Sequence, residues 1–474
     1  MPTVILDKET IKDKIYACWI GKNIGGTLGG PHEHKHEFLD IKGFETEAGK
    51  PLPNDDLDLQ LMWLIALERE GPFHFNNATL AEYWTLGIDP NWNEYGTAKA
   101  NLFDGIMPPL SGELNNDYWK NSNGAWIRSE LWTCLTPFYP DFARKFAYAD
   151  ATVDHGLNEG THSELYTVTL QSLAFGNDNL KEIVVKALDA IPENCRVAQS
   201  VKLVIDEYEK NTPYQQVREM LIKQNEDMGW FQAPSNIGYV VIGLLYGEGD
   251  FKKSMIYTTN CADDADCTAG TVGATLGIAY GTKIFPSDWL EYIGDDIITI
   301  CINAHYRRIV PKNCLELTER VMKMIPITFK SFGYDFEWGK DTELPENKRK
   351  KFDYKNYQDI SKWSFELPHL PYCVGYAEFD REPVVKEGEE INISLTLTTT
   401  GIRAYNFEVS VYTPDGWECD CIKSFHIATF GDLYKNKWQG KLKVGKTNAI
   451  NRVLVVCKPS IHAQSVVAEY IIKG

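Results

Sequence analysis

The sequence predicts a mainly α-helical chain: a large all-α domain followed by a small all-β sandwich. Three observations predict it. Apolar residues recur at helical spacing from residue 10 to about 330. Small residues repeat at every third or fourth position in two of those segments. Beyond about 366 the pattern changes to period-two alternation. The expected boundaries are 1–343 for the helical domain, 344–365 for a linker and 366–474 for a sandwich of immunoglobulin-like or fibronectin-like type.

The 474 residues exceed one ordinary domain, which supports the division into two. A net charge of −18 and a pI of about 5.1 argue against a protein that grips nucleic acid or an anionic membrane. With 43% hydrophobic residues, 13 Trp and 24 Tyr, the chain reads as globular rather than disordered. The stretch MPTVILDKETIKDKIYACWIGK lacks the parts of a signal peptide, and no run of about 18 apolar residues offers a membrane span. Eleven cysteines without CxxC spacing lead us to expect reduced thiols in a cytoplasm. Cys419 and Cys421 form a lone CxC, which strand alternation explains equally well.

Residues 10–29 read as a helix, with Thr10 as cap and Ile11, Ile15, Cys18 and Trp19 on its apolar face. Gly21, Gly25 and Gly29 repeat along it at every fourth position. His32, His34 and His36 then alternate around Glu33; in a strand they would line up for zinc or copper, but a histidine-rich surface loop is the commoner outcome. NDDLDLQLMWLIALE (54–68) opens on an Asn54 cap with Asp55 and Asp56 in the first turn. It is then apolar nearly all round, as a buried helix is. Residues 70–122, rich in Trp, Asn, Pro and Gly, predict short helices and long loops that shape a pocket. SNGAWIRSELW (122–132) and AYADATVDHGLNEGTHSELY (147–166) set polar residues beside helical stretches. Amphipathic helices are expected at 163–175, 180–191, 196–208 and 214–224, and an apolar one at 233–247.

The stretch from Asn260 to Gly281 opens on Asp263, Asp264 and Asp266. Gly270, Gly273, Ala274, Gly277 and Gly281 then share one helix face. Each glycine in a helix interior costs about 1 kcal/mol against alanine, so their repetition signals a close backbone approach. The charged stretch 344–356 reads as linker, its KRKK run as a solvated turn. After it, EEINISLTLTT, YNFEVSVYT, KWQGKLKV, INRVLVVC and SVVAEYII alternate as strands, with turns at Thr413–Gly416 and Gly445–Lys446.

Two buried helices that each begin with paired carboxylates suggest one acidic pocket, if their ends meet in space. Close acids repel, and a hard divalent cation relieves that repulsion, since Asp oxygens are the ligands that Mg²⁺, Ca²⁺ and Mn²⁺ take. Helix capping alone is the competing reading. No GxGxxG, P-loop, GxSxG or HExxH occurs, so dinucleotide, nucleotide-triphosphate, serine-hydrolase and zincin readings lack their central feature.

Over roughly 10–310 these pieces, in this order, resemble the ADP-ribosylglycohydrolase superfamily. GKNIGGTLGGPHE looks like its opening GxxxGDALGxPxE-type helix, and NDDLDL resembles its TDDTxM segment. NGAWIR and VDHGLNEGTHSELY are similar to its substrate-loop segments, and DDADCTAGTVGATLGIAYG to GDDADTTGAIxGxxAGAxxG. The resemblance implies an orthogonal all-α bundle with a Mg²⁺ (or Mn²⁺) centre and hydrolysis of a glycosidic bond at a ribose anomeric carbon. It implies Glu33 and Asp56 as catalytic residues. It implies Asn54, Asp55, Asp56, Asp264, Asp266 and Thr268 as metal ligands, and Asn123, Gly124, Arg128, His155 and Asn236 as substrate contacts. Three departures bear on the metals: Asn54 stands for Thr or Ser, Leu57 for Thr, and Cys267 for a ligating Thr. They keep one cation position and leave the second open, with Asp58 and Asp263 as extra acids nearby.

The expected function is metal-dependent hydrolysis of an N- or O-glycosidic bond at a ribosyl-type sugar, on an ADP-ribosylated target or a simpler furanoside. The segment variants and the added β-domain resemble bacterial members rather than the minimal enzymes. The alternative is a non-catalytic binder of ADP-ribose or a glycan, or a structural member. A carbohydrate-binding role for the β-domain would need exposed aromatics such as Trp417 or Trp438 in a row.

Overall fold

The computed structural model describes residues 1–345, 361–368, 370, 372–399, 404–427, 435–461 and 464–474. The expected linker and its KRKK run fall largely on 346–360, outside the described residues.

Strand β1 (Thr3–Asp7) leads into α1 (Lys8–Gly29), followed by α2 (Asp55–Glu70), α3 (Asn77–Gly87), α4 (Asn93–Phe103), α5 (Leu110–Glu113), α6 (Glu130–Leu135), α7 (Pro140–His155) and α8 (Glu159–Ala174). Then come α9 (Leu180–Ala187), α10 (Arg196–Glu209), α11 (Tyr214–Gln224), α12 (Ala233–Tyr246), α13 (Phe251–Asn260), α14 (Ala265–Tyr280), α15 (Ser287–Ile293) and α16 (Cys314–Ser331), before β2 (Asp335–Gly339). The apolar spacing predicts only helices throughout this region. Instead, TVILD forms β1 because a parallel partner, β2, meets it in register from Thr3↔Asp335 to Asp7↔Gly339. Five residues whose partner lies at the far end of the region carry little local signal. Asp7, rather than Thr10, caps α1: its Oδ1 accepts from the backbone N–H of Glu9 and Thr10.

Helices α1 and α14 form the centre of the domain, and the glycine spacing explains how. A Cβ on Gly21 would lie 2.1 Å from the carbonyl oxygen of Gly273, and one on Gly25 would lie 2.2 Å from the nitrogen of Gly270. The two backbones therefore touch where neither carries a side chain. At the end of this seam a Cβ on Gly29 would lie 2.4 Å from Asp266 Cα, so the close approach continues to the acidic residues. Most of α2 and nearly all of α14 is buried, including polar side chains such as Asp56, Asp58 and Gln60.

The remaining strands are β3 (Ser364–Glu366), β4 (Cys373–Phe379), β5 (Glu390–Thr399), β6 (Tyr405–Tyr412), β7 (Glu418–Cys421), β8 (Ser424–Ile427), β9 (Lys435–Lys443), β10 (Ile450–Pro459) and β11 (Val466–Lys473). They make two sheets, ordered β11-β10-β6-β8 and β3-β4-β5-β9-β7, with antiparallel pairs throughout. Their inward side chains share one apolar core. Trp417 and Trp438 belong to that core, 5% and 0% exposed, so they offer no surface row for a glycan. Cys419 and Cys421 sit at alternate positions of β7, and all eleven cysteines are free thiols.

The sandwich core extends onto the helical region through Ile106, Leu110 and Leu114, which are at most 1% exposed. Glu366 N–H donates to the Pro108 carbonyl at 3.1 Å, and Lys473 pairs with Asp104 at 3.2 Å. A chain ended at residue 345 is therefore expected to expose that apolar patch. It should bind a hydrophobic dye and melt below the full-length protein, and equal melting temperatures would show that the contact adds no stability.

Candidate active site

The C-terminal end of α1 and the N-terminal ends of α2 and α14 meet at one cavity of about 740 Å³, within the range of small-ligand sites. Glu33, Asp55, Asp264, Asp266 and Cys267 line it, beside the aromatic rings of Trp92, Tyr95, Trp119 and Phe231. Oxygens of Glu33, Asp264 and Asp266 lie within 4.8 Å of one another. Asp264 and Asp266 are buried, and Asp266 Oδ1 has no hydrogen-bond partner. Burial, with the charges of Glu33 and Asp55, pushes the Asp266 carboxyl up to about 7. Burial in the cavity wall, then the Asp55 and Asp56 carboxylates, raise Glu33 to about 7 as well, although 40% of its side chain is exposed.

Neighbouring groups hold these acids in place. Asn123 Nδ2 donates to Asp264 Oδ2 at 2.7 Å, and the Tyr95 hydroxyl to Asp55 Oδ2 at 2.8 Å. Asp263 turns the other way: its carboxylate accepts from Phe231 N–H and, at 2.8 Å, from Asn236 Nδ2. Its backbone pairs with the loop after Glu33, donating to the Lys35 carbonyl at 2.7 Å and accepting from His34 N–H at 3.0 Å. Ala262 and Asp263 both have left-handed backbones (φ 64° and 65°), an uncommon choice for residues other than glycine. This costly turn joins the Glu33 loop to the start of α14.

Asp56 has a different setting. Its Oδ2 lies 2.9 Å from the ammonium of Lys22, a charge contact rather than an aligned hydrogen bond, and both side chains are fully buried. Its Oδ1 accepts from the Cys267 thiol at 3.3 Å. Lys22 also donates to the Ile127 carbonyl at 2.6 Å and to Glu130 at 3.2 Å, while Gln60 donates to Glu130 at 2.8 Å. Burial alone would lower the lysine, but the Asp56 and Glu130 charges outweigh it and keep it protonated. Lys22 carries no signal of this role in the sequence. A lysine among glycines reads as a solvated residue until its helix is known to be buried.

The other expected residues divide by position. Asn123 and Gly124 line the cavity. Asn54 Oδ1 caps α2 through Asp56 N–H at 2.7 Å, and the Thr268 hydroxyl donates to the Ala265 carbonyl at 3.2 Å. Arg128 is fully buried and grips Asp154 with two nitrogens, at 2.9 and 2.8 Å. His155 lies behind the wall, between Asp154 and Ser122. Asp58 accepts from Ile300 and Cys301 N–H, both at 2.6 Å, and so fixes the loop that carries Ile300 to the cavity. The three histidines do not converge: His32 is buried, His34 leans on Phe231, and His36 stacks on Trp230 at 3.9 Å.

The family model for ADP-ribosylglycohydrolase matches residues 7–320, about two thirds of the chain and all the elements that build this cavity. The chain belongs to the ADP-ribosylglycohydrolase family. Membership in this family suggests glycohydrolase chemistry. A solved chain titled "ADP-ribosylglycohydrolase-related protein complex" is 18% identical and aligns with 68% of this chain and 99% of its own, with a TM-score of 0.46. A FixG-related protein from Vibrio parahaemolyticus aligns with 22% of this chain and 97% of its own, at 8% identity and a TM-score of 0.19. The GAE domain of GGA2p from Saccharomyces cerevisiae aligns with 23% and 96%, at 11% identity and 0.18. No curated protein matches the chain. Among the described residues, no helix of this ADP-ribosylglycohydrolase-family chain is long and apolar enough to cross a membrane.

For the divalent cation that the family generally uses, the donor set divides in two. Glu33, Asp264 and Asp266 offer hard oxygens only, including the unpartnered Asp266 Oδ1, and fit one cation of the Mg²⁺ type. The adjoining group of Asp56, Asp266 and Cys267 is a poorer set for a second hard cation, because it includes a thiol and the Lys22 ammonium lies 2.9 Å from Asp56 Oδ2.

Proposed function

We infer that the protein is a glycoside hydrolase acting at a ribosyl-type sugar with one Mg²⁺ or Mn²⁺. The observation that carries this reading is the convergence of Glu33, Asp264 and Asp266, with an unpartnered buried oxygen, in a cavity of small-ligand size. A cation held there supplies the charge that orients sugar hydroxyls and water and favours their ionisation. Asn123 and Tyr95 hold the Asp264 and Asp55 carboxylates in place, so the pocket is preorganised. Glu33, at the mouth, offers one oxygen to the cation set, and its other oxygen takes the proton from the attacking water. Trp92, Trp119 and Phe231 offer flat apolar surfaces for a sugar face or an aromatic leaving group. ADP-ribosylated targets and simpler furanosides both suit that combination.

Calorimetric titration of metal-free protein tests the reading. One Mg²⁺ or Mn²⁺ per chain is expected, bound more tightly in the presence of ADP-ribose. Because ligating carboxylates must be ionised, the affinity should rise with pH. Asp266→Asn should abolish the binding. A protein that binds neither cation would end this proposal. The Lys22 and Cys267 contacts with Asp56 favour a second reading, a binder of ADP-ribose or a glycan that has lost turnover. ADP-ribose binding without hydrolysis of any ribosyl substrate would select it.

A further inference from the structure

The cavity contains another carboxyl group, outside the expected cation set. Glu94, in the first turn of α4, lines the cavity and is 4% exposed; its Oε2 has no hydrogen-bond partner. A buried carboxyl oxygen without a partner is costly, and a ligand group removes that cost. Gly124 makes the position possible, because a Cβ there would lie 2.0 Å from Glu94 Oε1. Behind Glu94 runs a chain of polar groups. The Ser122 hydroxyl is 3.1 Å from His155 Nε2, and His155 Nδ1 is 2.8 Å from Asp154 Oδ1. Glu94, Asp154 and His155 each bring one ligand-type atom within 4.8 Å of the others. Arg128 holds Asp154 ionised, so Nδ1 of His155 carries a proton and Nε2 faces Ser122.

Resting on the glycosidase reading, we propose that Glu94 is a catalytic residue that delivers a proton to the leaving group, with Ser122 and the His155–Asp154 pair as positioning residues. As the bond between the anomeric carbon and the leaving atom breaks, its electron pair stays on that atom, which takes the Glu94 proton. Water supplies the oxygen that bonds to the anomeric carbon, and its released proton goes to Glu33. The Ser122 hydroxyl then turns from His155 to the new Glu94 carboxylate, and cavity water returns the proton from Glu33 to Glu94. Burial raises the Glu94 carboxyl, keeping the proton available, while His155 and the Ser122 hydroxyl favour its ionised form and Asp154 opposes it.

The test compares Glu94→Gln with the wild type on two probes. Methyl β-D-ribofuranoside has a leaving group that needs a proton, whereas the leaving group of 4-nitrophenyl β-D-ribofuranoside departs without one. With Mg²⁺ present, kcat on the methyl probe should fall about 100-fold or more, and on the nitrophenyl probe less than about tenfold. Equal losses, or none, overturn the proposal. In Ser122→Ala the ¹⁵N resonance of His155 Nε2 should move towards that of an unbonded nitrogen; an unmoved resonance overturns the positioning role. Mg²⁺ titration of Glu94→Gln should match the wild type, which separates this group from the cation site. A Mg²⁺-loaded wild type that hydrolyses neither these probes nor an ADP-ribosylated peptide refutes the glycosidase reading, and the role of Glu94 with it. Turnover without a selective loss refutes the role of Glu94 alone.

Discussion

Lys22→Met should destabilise the helical domain by about 3–5 kcal/mol, the usual cost of removing one partner from a buried ion pair. Asp56 and Glu130 would lose the ammonium between them, and neither can reach water to replace it. Methionine fills the space but returns no hydrogen-bond donor. Urea unfolding followed by tryptophan fluorescence measures the loss. A second change, Glu130→Gln on top of Lys22→Met, should recover part of it by removing one uncompensated charge. A loss below about 1 kcal/mol would mean that Asp56 holds a proton and needs no cation beside it.

Gly29→Ala has the second large effect, and it joins stability to binding. The added Cβ would meet Asp266 Cα at 2.4 Å and the Ala265 carbonyl at 2.3 Å, backbone atoms that no rotamer change can move aside. Overpacking of this kind costs about 1–3 kcal/mol. Relief requires α1 and α14 to separate at the end where Glu33 and Asp266 converge on the proposed cation site, so Mn²⁺ affinity should fall at least about tenfold. Unchanged affinity in a folded Gly29→Ala protein would show that the seam does not set the spacing of the carboxylates.

What the sequence discloses follows from how local each signal is. The glycine repeats of 21–29 and 270–277 reveal their faces because helical spacing alone places them there, and the two faces proved to be each other's partner. Asn54 and the acids after it are equally readable as a helix start. Groups whose role depends on distant elements are not. Lys22 meets its partners on α2 and α6, and Glu94 lies against the end of α7, where His155 meets Ser122. In the sequence Asp263 reads as one with its acidic neighbours, yet the left-handed turn aims its side chain at Phe231 and Asn236. A one-dimensional run of three acids cannot show that one of them faces away.

The seam between α1 and α14 also sets a timetable for synthesis. Gly21, Gly25 and Gly29 leave the ribosome early, but the backbone they fit is made more than two hundred residues later. At roughly 5–20 residues per second, the first helix waits for tens of seconds with its bare stripe uncovered. Strand β1 waits longer still, since β2 follows α16. The nascent chain therefore carries the glycine-striped half of α1 unpaired until α14 is made.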